Sequence, residues 1–121
     1  MTDSRNITPT GWHVATDADW TTLSNYLGGE SIAGAKLKEK GTAHWSGTNS
    51  EATNEVGFTA LPGGICYNLG GFGIFDAGVW WTSTSIDANY AWDRSIPSYN
   101  NQLYRNQSYK KSGYYVRCVK D

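Results

Sequence analysis

The chain begins with the hydrophobic period of a helix. Trp20, Leu23 and Leu27 recur at spacings of three and four residues, which places them on one face of a helix. Thr16 precedes this run with acidic residues close behind it, so it is the expected N-cap. The Gly28-Gly29 pair that follows Leu27 ends the pattern. We therefore predict a first helix between Thr16 and Gly28.

The rest of the chain changes from a helical to an alternating pattern. A shorter helix is predicted from Ser31 to Gly41, followed by one long organised loop over residues 44–78 that contains one or two short strands. Apolar and polar residues then alternate in four segments between turns, namely 78–85, 89–96, 102–109 and 113–120. Helices first and an antiparallel meander last predict an α+β fold, with two helices flanking a twisted antiparallel sheet.

Size and charge limit the classes of function. With 121 residues, the chain is long enough for one domain, which we place at residues 9–121 after a polar tail at residues 1–8. A net charge of −1 does not suit a nucleic-acid surface. No apolar run approaches the roughly eighteen residues of a membrane span, so direct membrane insertion is not expected. The start of the chain shows no signal peptide, which indicates a protein made without one or a domain-boundary Met.

Residues 86–109 form the candidate ligand surface. The segment is rich in Tyr, Asn and Ser and contains no His and no Glu. Tyr provides stiff contact area with a hydroxyl, and Asn and Ser provide adaptable hydrogen bonds, a composition that evolved paratopes use. Exposed strands without a ligand would accept the same residues. The residues that we expect to contact a ligand are Asp87, Asn89, Tyr90, Trp92, Asp93, Ser95, Tyr99, Asn101, Tyr104 and Asn106.

Alternation divides these strands into two faces without saying which one packs inward. One face of the segment 89–96 carries Tyr90, Trp92, Arg94 and Ile96, and the other carries Ala91, Asp93 and Ser95. In the next strand Tyr104 and Asn106 oppose Arg105 and Gln107. A slip of one residue would exchange the two faces. The neighbours Trp80 and Trp81 must likewise point to opposite faces, one of them into the core and the other into a second layer or a sugar-stacking platform.

Five strings in the sequence resemble one known family. They are "PTGWHVATDADWTTLSNYLGG", "AGAKLKEKGTAHW", "TNEVGFTALPGG", "WWTSTS" and "YYVRCVKD". Together they resemble the Fibrobacter succinogenes major paralogous domain, a module of bacterial secreted and surface lipoproteins, over residues 9–121. The resemblance implies a C-type-lectin-like fold, related to formylglycine-generating-enzyme and sulfatase-modifying-factor domains. In such a fold the terminal strands pair, and a long loop region carries ligand contacts.

The resemblance also implies a class of function. The same fold carries the variable proteins of diversity-generating retroelements, in which a C-terminal segment rich in Asn, Tyr and Ser is rewritten on a fixed scaffold. We therefore expect a non-catalytic module that binds a protein or a carbohydrate. It would be either a variable receptor or phage adhesin of this retroelement class, or a surface lipoprotein module. Its expected place is the cell surface, the secreted fraction or a phage particle. An enzyme of the sulfatase-modifying class and an assembly domain are the alternatives, and the oligomeric state is open.

Metal and thiol chemistry are weakly represented. His13 and His44 have no partners at ligand spacing, so zinc is not expected. The resemblance leaves calcium open as the one cofactor to consider, because C-type-lectin-like folds bind it through loop oxygens. The loop residues that could serve are Asn49, Glu51, Asn54, Glu55 and Asp76, although the string at 53–55 fits a structural clamp. The resemblance implies that Cys118, in "VRC", pairs with a Cys directly before "PTGW", a position that is Thr8 here. Cys66 is the alternative partner for Cys118, but we expect both to be free, buried thiols.

Overall fold

The computed structural model describes residues 6–47, 49–67, 70–73 and 76–121. It is an α+β structure with helices α1 (Asp17–Tyr26) and α2 (Glu30–Leu37). The strands are β1 (Trp12–Val14), β2 (Ile65–Cys66), β3 (Phe72–Gly73), β4 (Ala77–Ser85), β5 (Tyr90–Pro97), β6 (Tyr104–Tyr109), β7 (Tyr115–Val116) and β8 (Cys118–Lys120).

Helix α1 begins where the sequence predicts it. The Thr16 side chain accepts a hydrogen bond from the Asp19 amide at 3.1 Å, and the Asp19 carboxylate accepts one from the Thr16 amide at 2.8 Å. This capping box satisfies amides that have no partner within the helix. Gly28, with a φ of 100°, turns the chain directly after the helix. The predicted start and end of α1 are therefore confirmed.

Helix α2 ends earlier than predicted. Lys38 leaves the helix with extended backbone, pairs with Ala60 in an isolated bridge and is 1 % exposed. Its Nζ donates to the carbonyl oxygens of Ser98 at 3.2 Å and Asn100 at 2.9 Å. These tertiary contacts stop the helix before Gly41, where the sequence placed its end.

The main sheet is mixed rather than antiparallel throughout. Its strand order is β6-β5-β4-β7, and β4, β5 and β6 form the predicted antiparallel meander. The last predicted strand is divided: β7 pairs parallel with β4, and β8 pairs antiparallel with β1. The prediction of a fourth antiparallel strand is therefore wrong, because alternation indicates a strand but not its partner. The expected pairing of the terminal strands is confirmed, with Val14 opposite Cys118.

The long loop is organised as expected. It contains the two short strands β2 and β3, which pair with each other. Trp45 anchors the loop, because its buried ring donates from Nε1 to the Ala60 carbonyl at 2.9 Å. Asn54 bonds to both the amide and the hydroxyl of Thr59, at 2.7 and 2.9 Å. The interpretation of residues 53–55 as a clamp is confirmed for Asn54.

The core lies between the helices and one face of the sheet. Trp20 of α1 packs against Trp80 of β4 with ring centroids 5.9 Å apart, and Phe58 lies against both rings. Trp81 points to the other face, where its ring lies 4.5 Å from that of Tyr114. The two adjacent tryptophans thus occupy opposite faces, as alternation requires. Neither α1 nor α2, the helices in the described part of the chain, is long and apolar enough to span a membrane.

Candidate functional site

A cleft of about 650 Å³ lies on the sheet face that the helices do not cover. It contains half of the residues that the sequence analysis selected, namely Asp93, Ser95, Tyr99, Tyr104 and Asn106. Its walls are completed by residues that were not among those expected to contact the ligand, including Val79, Pro97, Ser98, Ser108, Tyr114 and the calcium candidate Asp76. Ser108 lies at the end of the candidate segment 86–109, and Tyr114 lies five residues beyond it. Both are of the residue types, Tyr and Ser, that marked the segment as a ligand surface.

Strand register brings the polar side chains of the cleft together. Asp93 pairs with Asn106, and Ser95 pairs with Tyr104, so all four project from the same face. The Asn106 side-chain amide donates to Asp93 Oδ1 at 3.1 Å and to Ser95 Oγ at 3.0 Å. A single amide therefore orients both groups at the floor of the cleft.

Asp93 is the most buried polar group of the cleft. It is 2 % exposed, and its Oδ2 has no hydrogen-bond partner of normal geometry among the described residues. Burial raises the pKa of Asp93, while the Ser108 hydroxyl, the Asn106 amide and the more distant charge of Arg94 act in the opposite direction. The carboxyl group thus lies at the floor of the cleft, largely covered, and is unfavourably placed as an isolated anion.

The tyrosines of the cleft differ in how firmly they are held. The Tyr104 hydroxyl accepts a hydrogen bond from the Asn100 side chain at 2.8 Å. The Tyr114 hydroxyl donates to Ser108 Oγ at 3.1 Å, and its ring lies against Trp81. Tyr99, in the turn after β5, is 81 % exposed. The cleft therefore has two oriented rings and one ring that extends into solvent.

Three of the selected residues lie at the far end of β5, in its turn with β4. Asp87 Oδ1 accepts hydrogen bonds from the amides of Asn89 at 2.7 Å and Tyr90 at 2.8 Å. These bonds lower the pKa of Asp87 and shape the turn. The Tyr90 ring packs against Tyr109 at 5.6 Å. The structure does not bring this group to the cleft.

Two further selected residues take part in contacts within the fold. Trp92 lies on the helix-covered face, where the Arg105 guanidinium is 3.4 Å from its ring centroid. The Asn101 carbonyl accepts a hydrogen bond from the Ala35 amide of α2 at 3.3 Å, and its side chain donates to Glu51. These contacts connect the sheet and its turn to other elements and lie outside the cleft.

The structure does not assemble a metal site from the described residues. No group of three His, Cys, Asp or Glu residues comes together within them in a way that could hold a metal ion. The calcium candidates instead make separate contacts: Asn49 donates to carbonyl oxygens, and Glu55 pairs with Lys36 at 3.2 Å. Cys66 and Cys118 are free thiols in different sheets, half-buried rather than buried as predicted.

A second cleft, of about 620 Å³, lies beside the terminal strands. Its walls are mostly apolar and include Trp12, Trp20, Leu23, Tyr26, Phe58 and Val119. It contains none of the residues that the sequence analysis selected. Asp19, Arg117 and Lys120 also line this second cleft. Ligand sites combine apolar walls with a few convergent polar groups. In the first cleft such groups are joined by hydrogen bonds at the floor, which favours it as the candidate site.

Comparison with known proteins gives one match. The family described as the Fibrobacter succinogenes major domain matches residues 1–120, a range that includes every residue of the first cleft. Neither the curated proteins nor the solved structures contain a significant match to the chain. The resemblance found in the sequence is thereby confirmed at the level of the family.

Proposed function

The chain belongs to the Fibrobacter succinogenes major domain family, and from that premise we propose that it is a non-catalytic ligand-binding module of C-type-lectin-like fold. Paired terminal strands, two helices and a long organised loop support this choice of fold. The observation that carries the functional proposal is the cleft on the helix-free face. There Asp93, Ser95, Tyr104 and Asn106 converge from two adjacent strands.

The cleft has the composition of a binding surface. Its tyrosines offer large contact area with few rotatable bonds, and its amide and hydroxyl groups offer donors and acceptors. The floor groups are already oriented by hydrogen bonds, so little ordering is needed when a ligand enters. A protein or carbohydrate ligand suits such a surface. The corresponding place of action is the cell surface, the secreted fraction or a phage particle.

A diversified version of this module is consistent with how β5 and β6 are built. The two strands are joined by main-chain pairing from Tyr90–Tyr109 to Ser95–Tyr104, which does not depend on side-chain identity. Side chains at the cleft could therefore change while the scaffold persists. A near-repeat of the 3′ coding end that differs at adenines, beside a reverse-transcriptase gene, would identify a retroelement variable protein. If the neighbouring DNA lacks that repeat, we would assign the protein as an ordinary surface-lipoprotein module.

Binding can be mapped with chemically defined probes in place of the natural ligand. We would record amide NMR spectra of the ¹⁵N-labelled protein with a panel of neutral saccharides and a panel of short peptides. The proposal expects at least one panel to shift the amides of Asp93, Ser95, Tyr104 and Asn106. Shifts confined to the second cleft, around Trp20 and Val119, would contradict it. The enzymatic alternative requires a reactive cysteine or a metal, so thiol titration and metal analysis of the purified protein test it.

A further inference from the structure

The cleft is acidic and has no cation of its own among the described residues that line it. Those residues include Asp93 and Asp76 but no Lys, Arg or His. Arg94 follows Asp93 directly, yet it projects from the other face of β5. There it is 0 % exposed and bonded to Asp17 and Glu30. Its guanidinium is therefore committed to the helices.

The nearest other cation serves a different part of the cleft. Lys38 donates to the carbonyl oxygens of Ser98 and Asn100 behind the turn, and its electrostatic partner is Asp76. Asp76 is therefore partly neutralised, whereas Asp93 has no cation on its own face among the described residues. A buried carboxylate in that position is costly unless it takes up a proton or meets a cation.

Within the described part of the chain, Asp93 also carries an unsatisfied hydrogen-bond acceptor. It is nine-tenths or more buried, and its Oδ2 has no hydrogen-bond partner of normal geometry in the described residues. Buried polar atoms are almost always paired, and an unpaired one requires an explanation. A ligand group that donates hydrogen bonds and carries positive charge would satisfy both needs at once.

The aromatic residues of the cleft favour the same chemistry. Tyr99, Tyr104 and Tyr114 surround the polar floor. The faces of such rings attract cations, and most strongly where water is excluded. The ring of Tyr99, exposed in its turn, has most of its surface open for such a contact.

We propose that this cleft binds a cationic nitrogen group of its ligand, an ammonium or a guanidinium, with Asp93 as the counter-ion. The inference rests on the proposed binding function and names the ligand class for the same site. An anionic ligand would face the Asp93 carboxylate without a compensating base, and a neutral one would leave Asp93 uncompensated. The group can belong to a Lys or Arg side chain of a protein or to a small free amine.

The test compares two probes of nearly equal shape. Nα-acetyl-arginine methylamide carries a guanidinium, and Nα-acetyl-citrulline methylamide carries a neutral urea in its place. We expect the arginine probe to bind about 10- to 100-fold more tightly by NMR titration, the range expected for a charge-assisted hydrogen bond. Agmatine, measured alongside, distinguishes a preference for free amines from one for peptide side chains.

Variants assign the preference to Asp93. Asp93→Asn keeps the shape of the side chain and should abolish the preference for the arginine probe. Glu55→Gln removes one negative charge from the exposed Lys36 ion pair outside the cleft and should leave the preference unchanged. Equal binding of the two probes, or a preference that survives Asp93→Asn, would overturn the inference.

If Asp93→Asn does not fold, Tyr99→Ser replaces it, and loss of the ring should weaken the arginine probe about 2- to 5-fold. No change in that variant would count against the proposal. If neutral saccharides bind the cleft and the cationic probes do not, the ligand class is wrong while the binding function stands. If no probe shifts the cleft residues, both proposals fail.

Discussion

Arg94 Nη2 donates a hydrogen bond to Asp17 Oδ1 at 2.8 Å, and this contact joins the central strand β5 to helix α1. Arg94 Nη1 donates to Glu30 Oε1 of α2 at 2.9 Å. The guanidinium is 0 % exposed, so both helices are held to the sheet by one buried cation. Such a buried ion pair fixes the orientation of the helices on the sheet. Removing one partner is costly, because the other charge is then left buried without compensation.

The two partners of Arg94 should contribute unequally to stability. The Asp17 side chain is 15 % exposed, whereas that of Glu30 is 45 % exposed. We expect Asp17→Asn to lower the free energy of unfolding by about 3 kcal/mol, since it leaves the buried Arg94 undercompensated and also breaks the ion pair with Arg105. Glu30→Gln, the matched control, should cost no more than about 1 kcal/mol. Urea denaturation measures both, and equal losses would show that burial does not decide the strength of this pair.

Asp93 should reduce stability at neutral pH. In the unfolded chain it titrates near its ordinary pKa of 3.8, and burial raises that pKa in the folded state. The folded protein therefore holds the proton more tightly, and the free energy of unfolding falls as pH rises between the two pKa values. The variant Asp93→Asn has no carboxyl group to ionise at this position. Its free energy of unfolding at pH 7 should therefore equal or exceed that of the parent protein. Denaturation across acid and neutral pH checks the sign, and a strongly destabilised variant at pH 7 would contradict it.

Truncation of Tyr99 and of Tyr104 should affect stability differently, because Tyr99 is exposed and Tyr104 is partly packed. Tyr99 is 81 % exposed, so Tyr99→Ala should change the free energy of unfolding by no more than about 0.5 kcal/mol. Tyr104 is half-buried and accepts a hydrogen bond from Asn100, so Tyr104→Ala should cost about 1–2 kcal/mol. Tyr104→Phe, which keeps the ring, should lose only about 1 kcal/mol. Thermal unfolding is sufficient, and a large drop for Tyr99→Ala would place that ring in the packed interior.

His13 should make stability depend on pH near neutrality. Hydrogen bonds to Asp121 and Asp19, at 2.6 and 3.0 Å, raise the pKa of His13 above its ordinary value of 6.5. Its stabilising contribution is therefore complete below about pH 6.5 and is lost as pH rises through the folded-state pKa. His13→Gln should flatten the melting temperature between about pH 5.5 and 8.5. An unchanged pH profile in this variant would show that the pairs with Asp19 and Asp121 do not stabilise the fold.

Gly34 should be required for the docking of α2. A Cβ at this position would lie 2.5 Å from the Asn101 carbonyl oxygen, too close for backbone that cannot rotate away. Ala raises helix propensity by about 1 kcal/mol relative to Gly, yet we expect Gly34→Ala to destabilise the protein by about 1–3 kcal/mol net. Ser31→Ala, on the exposed side of the same helix, is the control and should be nearly neutral. A more stable Gly34→Ala variant would show that α2 can shift away from the turn.

Local patterns by themselves determined helix α1 and the strands of the antiparallel meander. The capping box at Thr16 and the glycines at 28 and 29 bound α1, and period-two alternation identified β4, β5 and β6. These signals depend on interactions within a few residues, so they can be recognised independently of the rest of the fold. Alternation also divided Asp93 and Ser95 from Trp92 and Arg94 correctly, because neighbouring side chains in a strand must point to opposite faces.

Tertiary structure decided which of those faces became the candidate site. Burial of Arg94 beneath the two helices directs Asp93 to the helix-free face, and pairing with β6 adds Asn106 beside it. Pairing with β4 and with β1 divided the last predicted strand between two sheets. Pairing of β5 with β6 placed Trp92 in contact with Arg105. A strand's sequence specifies that it has two faces. Which face is covered depends on elements distant in the chain, whose packing no local period encodes.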